Sequence, residues 1–172
     1  DVGGLGGDGT DLMIIMQAFG RGLVPEPYLA GLVLPGQLLA LTANSEQQTR
    51  WLAPLLEGEH QLALAWQEVG ARYDAFSVAT QATQQGDQWQ LNGKKHVVLN
   101  LEAAAATLVS AQLASGKLGL FIVPADAPGT STHPYRTIDD QPAGDLTLDS
   151  VTLPLTNCLS EDVSNVLAEV LG

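Results

Sequence analysis

The sequence is poor in cysteine and in positive charge, and each shortage excludes a class of protein. Its 172 residues contain one cysteine, Cys158, so an internal disulfide and a cysteine cluster for a metal are both ruled out. Seven lysines and arginines stand against 19 aspartates and glutamates, which gives a formal net charge of −12 and a pI near 4.3. This balance argues against nonspecific binding to nucleic acid or to an anionic membrane surface.

Long apolar runs and catalytic signatures are missing too. No run approaches the roughly 20 apolar residues of a membrane span, and the N-terminus lacks the basic stretch of a signal peptide. Together with the single cysteine, this favours a cytoplasmic location. His60, His96 and His133 are scattered without metal-ligand spacing, and no Gly-x-Ser-x-Gly nucleophile motif occurs. We therefore expect no metal site.

Helical patterns fill the first sixty residues. Apolar residues recur at helical spacing after Thr10, which we expect to be the N-cap of the first helix. A second apolar segment, 28–41, contains Pro35 and is either two short helices or one kinked helix. Ser45 followed by Gln48 indicates a capping box that begins a third helix.

Short alternating segments then replace the helical pattern. They predict about seven strands at regular spacing, with hairpin turns at 86–87, 92–93 and 115–116. After a loop, the last strand is expected over Leu146–Leu153, and Ser160 then caps a final helix. The predicted fold class is therefore α+β, with a helical N-terminal segment followed by an antiparallel β-barrel or sandwich.

The opening glycines raise a separate hypothesis, because Gly4, Gly6 and Gly9 spell the G-x-G-x-x-G pattern of a dinucleotide-binding loop. Such a loop lies between a strand and a helix, with an acid at the end of a second strand about 20 residues on. Glu26 is at that distance, but prolines flank it and helical periodicity fills the interval. The hypothesis of a nicotinamide-binding Rossmann domain is therefore supported by the glycines alone. We expect these glycines to form a loop that leads into a helix.

Three stretches carry a resemblance to a known family. LAPLLEGE occupies 52–59, EVGARYD follows a predicted strand at 68–74, and GDQWQLNGKK occupies 86–95. Together they resemble the acyl-CoA dehydrogenase family, whose patterns at these places are P-x-L-x-x-G, T-E-P-x-x-G-S-D and N-G-x-K-x-W-I-T-N. The E-x-x-A-R-Y-D variant is similar to the small subunits of pimeloyl-CoA dehydrogenase type. The resemblance covers nearly the whole chain.

This resemblance implies an N-terminal helical domain, a middle β domain and a C-terminal helical bundle that supplies a catalytic glutamate. Residues 1–59 would be the end of the first domain, 60–158 the middle domain and 159–172 the truncated start of the bundle. The implied parent is an FAD-dependent oxidoreductase of fatty or dicarboxylic acid degradation. It desaturates an acyl-CoA between the α and β carbons and passes electrons to an electron-transfer flavoprotein. We expect the fragment itself to be inactive and to bind no flavin.

The resemblance also implies a set of site residues. Those at the family's flavin-facing positions are Trp66, Gln67, Arg72, Tyr73, Val97, Val98 and Leu99. Arg72 and Tyr73 are also implied to lie near the substrate, where the guanidinium could pair with a phosphate or an acyl carboxylate. Val97 stands where the family has an aromatic flavin wall, and Leu99 where it has a hydroxyl that bonds the ring. Losing both contacts would weaken flavin binding roughly 10²–10³-fold.

Two functions remain open at this point. The first is an acyl-CoA dehydrogenase subunit; the second is a flavin-less scaffold subunit of a heteromer, which Val97 and Leu99 favour. Several site residues also have a purely structural interpretation. Trp66 is then a core aromatic, Arg72 pairs with Asp74 or Glu68 on the surface, and the strand residues pack inward. Exposed helix stripes predict a homo- or hetero-oligomer in either case.

Overall fold

Helices and strands occupy separate stretches of the chain, as the sequence predicts. The computed structural model describes residues 6–172. Its helices are α1 (Gly9–Gly22), α2 (Leu34–Thr42), α3 (Ser45–Gln47), α4 (Ala53–Leu56) and α5 (Ser164–Leu171), with π-helical turns at Leu29–Val33 and Gln48–Leu52. Its strands are β1 (Gln61–Ala65), β2 (Gln81–Gln85), β3 (Gln88–Leu99), β4 (Ala104–Leu113), β5 (Leu118–Pro124), β6 (Thr130–Arg136), β7 (Pro142–Pro154) and β8 (Cys158–Ser160).

The strands of residues 6–172 form one mixed sheet. Their order is β6–β7–β3–β2–β4–β5–β8, and β1 pairs with β4 beside this path. β1 and the start of β2 run parallel to β4, whereas the other neighbouring strands are antiparallel. The predicted α+β class is confirmed. The sheet does not close into a barrel, because β6 and β8 remain its two ends.

The predicted N-caps of the first and third helices lie slightly too late in the chain. Asp8, not Thr10, caps α1: its carboxylate accepts the N–H groups of Thr10 and Asp11, and the Asp11 side chain accepts the N–H of Asp8. The third helix likewise begins one residue earlier than expected, in a capping box of Asn44 and Gln47. A carboxylate or amide oxygen satisfies the free N–H groups of the first turn at least as well as a hydroxyl does, which explains both shifts.

Of the two structures predicted for the segment around Pro35, the protein has the single kinked helix. The π-helical turn Leu29–Val33 runs directly into α2, and Pro35 lies in the first turn of α2, where its missing N–H is tolerated. No strand interrupts the described chain between α1 and β1, so the second strand of a dinucleotide-binding unit does not follow the glycines. Gly4 itself lies outside the described residues.

Two buried cores lie on opposite faces of β1, β4 and β5. One face packs against β3 and β7, and within it the rings of Trp89 and Phe121 meet edge to face with centroids 5.2 Å apart. On the other face, Leu62 and Leu64 share a core with apolar residues of α2 and with Leu167 of α5. Each buried leucine there is worth about 2–5 kcal/mol against alanine. These three strands are thus covered on both sides.

Two of the three predicted hairpin turns are confirmed, and the third is wrong. Turns at 86–87 and 115–116 join β2 to β3 and β4 to β5. The expected turn at Asn92-Gly93 is instead a bulge inside β3. Asn92 Oδ1 accepts the N–H of Ser150 on β7, and a Cβ at Gly93 would lie 2.7 Å from the Thr80 Cα. The dipeptide therefore serves close packing rather than chain reversal.

The C-terminal third departs most from prediction. The sequence predicts a loop where β6 lies, because this edge strand is mostly exposed, contains Pro134 and has no apolar alternation. β7 begins at Pro142, earlier than the predicted Leu146–Leu153. Ser160 belongs to β8 and the last helix begins at Ser164. No helix within residues 6–172 is long and apolar enough to cross a membrane.

Candidate functional site

An open depression of about 570 Å³ lies where the loop after β1 passes beside the C-terminal part of β3. We call it the β1–β3 depression; its lining residues are Gln67, Glu68, Val69, Arg72, Tyr73, His96 and Val97. The N–H of His96 donates to the carbonyl of Gln67 at 2.9 Å and so joins the two chain segments. Four of the seven predicted site residues, Gln67, Arg72, Tyr73 and Val97, are thus brought to one surface.

The other three predicted residues lie elsewhere. Val98 is 1% exposed and belongs to the sheet core, so its side chain does not reach the depression. Trp66 is partly buried against the helix-facing core, as its structural interpretation expects. Leu99 lines a separate cavity of about 570 Å³, largely apolar, formed with α1, the α1–α2 connection and the loop after β6. Phe19 and Leu29 are among its other lining residues.

Two residues of the depression have left-handed backbone. Arg72 has φ 54° and Val97 has φ 51°, a region that favours glycine. For a β-branched residue such as Val97 this is an outlier, and each such residue costs on the order of 1–3 kcal/mol. Arg72 stands where the resembled pattern has glycine, so the backbone keeps a glycine-like conformation there. Arg72 is exposed, and no ion pair within residues 6–172 includes it.

A small polar cluster holds the backbone at Val97, where β3 bulges. The N–H of Val97 donates to the Tyr135 hydroxyl at 3.0 Å and to Asp145 Oδ1 at 3.3 Å. The Tyr135 hydroxyl donates to Asp145 Oδ1 at 2.8 Å. His96 Nδ1 lies 3.1 Å from Asp145 Oδ2. We call His96, Val97, Tyr135 and Asp145 the Asp145 cluster.

The Asp145 cluster shifts the acidity of two of its members. Burial alone would raise the pKa of Asp145, but hydrogen bonds from Tyr135 and Val97, together with the neighbouring His96, outweigh it and hold that pKa below its ordinary value. Burial, together with the hydrogen bond to Asp145, raises the pKa of Tyr135. Asp145 is therefore a carboxylate at neutral pH and Tyr135 a neutral hydroxyl. Sequence reasoning missed both residues, because they lie on β6 and in the unpredicted start of β7.

A buried ion pair lies beneath the depression. Lys95 Nζ is 2.7 Å from Glu68 Oε1, and their side chains are 0% and 8% exposed. Glu68 also accepts the N–H groups of Ala79 and Thr80, and Lys95 donates to the Ser110 hydroxyl. Burial alone would raise the pKa of Glu68, but the hydrogen bond and charge of Lys95 outweigh that effect, and the net pKa lies below its ordinary value. The carboxyl is therefore ionised at neutral pH. Burial lowers the pKa of Lys95, and Glu68 offsets this only in part.

This pair anchors the loop from 66 to 80 onto the sheet. Glu68 and Lys95 both lie in the stretches that resemble the family, but the sequence predicts no role for Lys95 and indicates Glu68 only as a surface partner of Arg72, whereas Glu68 pairs with the buried Lys95. Within residues 6–172 no group of three or more His, Cys, Asp and Glu side chains could hold a metal ion. Burial, with a smaller contribution from the Glu161 charge, raises the pKa of Cys158 to about 11, so this thiol stays protonated at neutral pH.

Comparison with known proteins identifies the family. The sequence profile of the acyl-CoA dehydrogenase middle domain matches residues 63–151. The chain is 32% identical over 126 residues to the acyl-CoA dehydrogenase FadE12 of Mycobacterium tuberculosis, across 69% of this chain and 32% of the relative. It is 31% identical over 170 residues to the caffeyl-CoA reductase–Etf complex subunit CarC of Acetobacterium woodii, across 93% and 45%. The chain thus spans less than half the length of these curated relatives.

Solved structures share the fold. A variant of the steroid ACAD Tcur3481-Tcur3483 has a TM-score of 0.81 at 32% identity, over 92% of this chain and 42% of that one. The ChsE4-ChsE5 complex from Mycobacterium tuberculosis has 0.78 at 27% identity, over 89% and 40%. A glutaryl-CoA dehydrogenase from Mycobacterium smegmatis in complex with FADH2 has 0.73 at 26% identity, over 81% and 36%.

The resemblance predicted from the sequence is therefore confirmed at the level of the family. The profile alone covers just over half of the 172 residues, and relatives and solved structures agree with it. The chain belongs to the acyl-CoA dehydrogenase family.

Proposed function

We propose that this chain is the flavin-facing part of an acyl-CoA dehydrogenase. The complete protein would desaturate an acyl-CoA between its α and β carbons and pass the electrons to an electron-transfer flavoprotein. The observation that supports this most is the β1–β3 depression, which collects Gln67, Arg72, Tyr73 and Val97 on one surface. A relative named as a subunit of an Etf complex supports the electron acceptor.

The residues of the depression fit a flavin. Its volume of about 570 Å³ is in the usual range for cofactor sites. The Gln67 side-chain amide makes no hydrogen bond within residues 6–172 and can both donate to and accept from a ring edge. Tyr73 and Val97, 93% and 45% exposed, offer apolar surface for a ring face. Bound FAD would supply the acceptor for the hydride that leaves the acyl β carbon.

Arg72 and Tyr73 are proposed to face the acyl-CoA as well. The exposed Arg72 guanidinium can pair with a phosphate of the flavin or of CoA, or with a carboxylate on the acyl chain. The carboxylate choice would suit a dicarboxylyl-CoA, in line with the resemblance to pimeloyl-CoA dehydrogenase small subunits. Replacing Arg72 with methionine separates these choices, because only a carboxylate role predicts a selective loss of dicarboxylyl-CoA turnover.

The catalytic base is proposed to come from residues that this chain does not contain. Glu68 is the carboxylate that lines the depression, and its ion pair with Lys95 keeps it from abstracting a proton. The chain alone would accordingly be inactive. The same proposal divides it into 1–59, 60–158 and 159–172 and places the protein in the cytoplasm.

A flavin-less scaffold subunit is the second candidate. Val97 and Leu99 favour it, because neither side chain can bond a flavin ring, and a similar structure is named as a complex of two components. The visible absorption spectrum of the protein purified from its source decides between the two. A flavin band near one equivalent supports the enzyme. A protein that stays colourless after incubation with FAD supports the scaffold.

A further inference from the structure

We propose that Asp145 is a positioning residue of the β1–β3 depression. It fixes the imidazole of His96 with the proton on Nδ1 and holds the left-handed backbone at Val97, so that His96 Nε2 presents a hydrogen-bond acceptor to the ligand. Only the identity of that ligand, a flavin, rests on the proposed function. Neither His96 nor Asp145 belongs to the set of residues that the family resemblance implies.

The tautomer follows from the chemistry of the contact. His96 Nδ1 is 3.1 Å from Asp145 Oδ2, and an ionised carboxylate can only accept hydrogen bonds. A ring nitrogen that faces this carboxylate carries a proton, so Nδ1 is the protonated nitrogen, and Nε2 of a singly protonated ring is then an acceptor. No hydrogen bond within residues 6–172 uses His96 Nε2, the His96 side chain is partly exposed, and His96 is one of the residues that line the depression.

Asp145 also holds the backbone of Val97, which lines the same depression as His96. Asp145 Oδ1 accepts both the Val97 N–H and the Tyr135 hydroxyl, and the hydroxyl in turn accepts the Val97 N–H. One carboxylate therefore holds the bulge and the ring together. Because Val97 is left-handed and β-branched, its conformation persists only while neighbouring groups hold it.

An acceptor at His96 Nε2 favours a ligand that places an N–H or O–H donor in the depression. Gln67 offers a neutral amide there, and the N–H of His96 already ties its backbone to Gln67. A flavin carries donors of both kinds, an imide N–H on its ring and hydroxyls on its ribityl chain. A single neutral hydrogen bond of this type contributes about 1 kcal/mol, or roughly fivefold in affinity.

The tautomer can be measured on the 172-residue chain without any flavin, by nitrogen NMR of its histidine rings. His60 is an internal contrast, because its Nε2 lies 3.1 Å from the Trp51 carbonyl and must carry the proton. We expect wild-type His96 to be protonated on Nδ1. Asp145→Asn, whose amide can donate to Nδ1, should move the proton to Nε2, whereas Asp149→Asn, an exposed site on the same strand, should change nothing. A wild-type His96 protonated on Nε2 would overturn the proposal.

The effect of Asp145 on ligand binding is tested with the complete protein, as wild type and as variants. We expect Asp145→Asn to weaken FAD binding roughly fivefold, and His96→Gln, which keeps an acceptor, to weaken it less than His96→Ala. A changed tautomer with unchanged FAD affinity refutes the positioning role. A wild-type protein that takes up no FAD refutes the proposed function instead, and the tautomer measurement still tests the role of Asp145.

A separate variant tests whether Asp145 holds the backbone at Val97. Asp145→Ala should speed hydrogen exchange of the Val97 amide about tenfold or more, since it removes one of the two acceptors of this N–H and the carboxylate that holds the other, the Tyr135 hydroxyl. Adding Val97→Gly, which removes the left-handed strain, should make the fold insensitive to Asp145→Ala. Equal exchange rates in Asp145→Ala and wild type would contradict this part.

Discussion

Replacing Lys95 with methionine is expected to destabilise the protein strongly. Methionine matches the length of the lysine stem but leaves the Glu68 carboxylate without its counter-charge, 2.7 Å from where the ammonium lay. Breaking a fully buried ion pair on one side costs about 3–5 kcal/mol. Glu68 keeps the backbone N–H groups of Ala79 and Thr80, so we expect the lower end of that range. For a chain of this size, that lowers the melting temperature by roughly 6–12 °C.

Urea denaturation followed by circular dichroism measures this loss, and pH gives it a signature. Without Lys95, the pKa of the buried Glu68 rises above its unfolded value of 4.5, so the penalty exists only where Glu68 is charged. A folded pKa above the unfolded one means that the penalty fades as pH falls from neutral towards 4.5. The difference between variant and wild type should therefore shrink on acidification.

Two further variants isolate the charge from the packing. Lys94→Met changes the exposed neighbour on the same strand and should alter stability by less than about 0.5 kcal/mol. Adding Glu68→Gln to Lys95→Met removes the unpaired charge and should restore at least half of the loss. A Lys95→Met cost below about 1 kcal/mol that is also independent of pH would refute the reasoning.

Three other predictions concern the same region. Gly93→Ala should cost about 1–3 kcal/mol or more by denaturation, because its Cβ would lie 2.7 Å from the Thr80 Cα; unchanged stability would show that the bulge is loose. The folded-state pKa values of Glu68 and Asp145 are both lowered, so their contribution to stability is present above about pH 4.5 and is lost as pH falls through those values. Constant stability down to about pH 3 would contradict this. In the flavin-loaded protein, Arg72→Met should lower turnover of dicarboxylyl-CoA more than that of simple acyl-CoA; equal losses in steady-state rates would exclude a carboxylate role.

Local signals predicted the fold where the chain interacts with itself over a few residues. The turns at 86–87 and 115–116 are correct because short loops between alternating strands specify their own pairing. Asn92-Gly93 carries the same local signal but lies within a strand, because Thr80 and Ser150 pack against it from distant parts of the chain. A pattern that serves a close contact between strands looks the same in sequence as one that reverses the chain.

The site was predictable only in part, for a related reason. The ends of β1 and β3 meet as the family resemblance implies, and this brings Gln67 and Val97 together. Val98 follows the opposite face of the strand and is buried, a consequence of the bulge that no periodicity reveals. Asp145 was missed because the strand that carries it has few apolar residues at its start, and its partners are 10 to 49 residues away in sequence.

The strands covered on both faces have a consequence for how the protein is made. β1 is synthesised early, but its pairing partner β4 begins about 40 residues later, and α5, which helps cover its outer face, begins only at Ser164. Until then, Leu62 and Leu64 have no complete core to enter, so the growing chain exposes an apolar segment while the residues between β1 and α5 are synthesised. The nascent chain should therefore be a client of holding chaperones until α5 has left the ribosome.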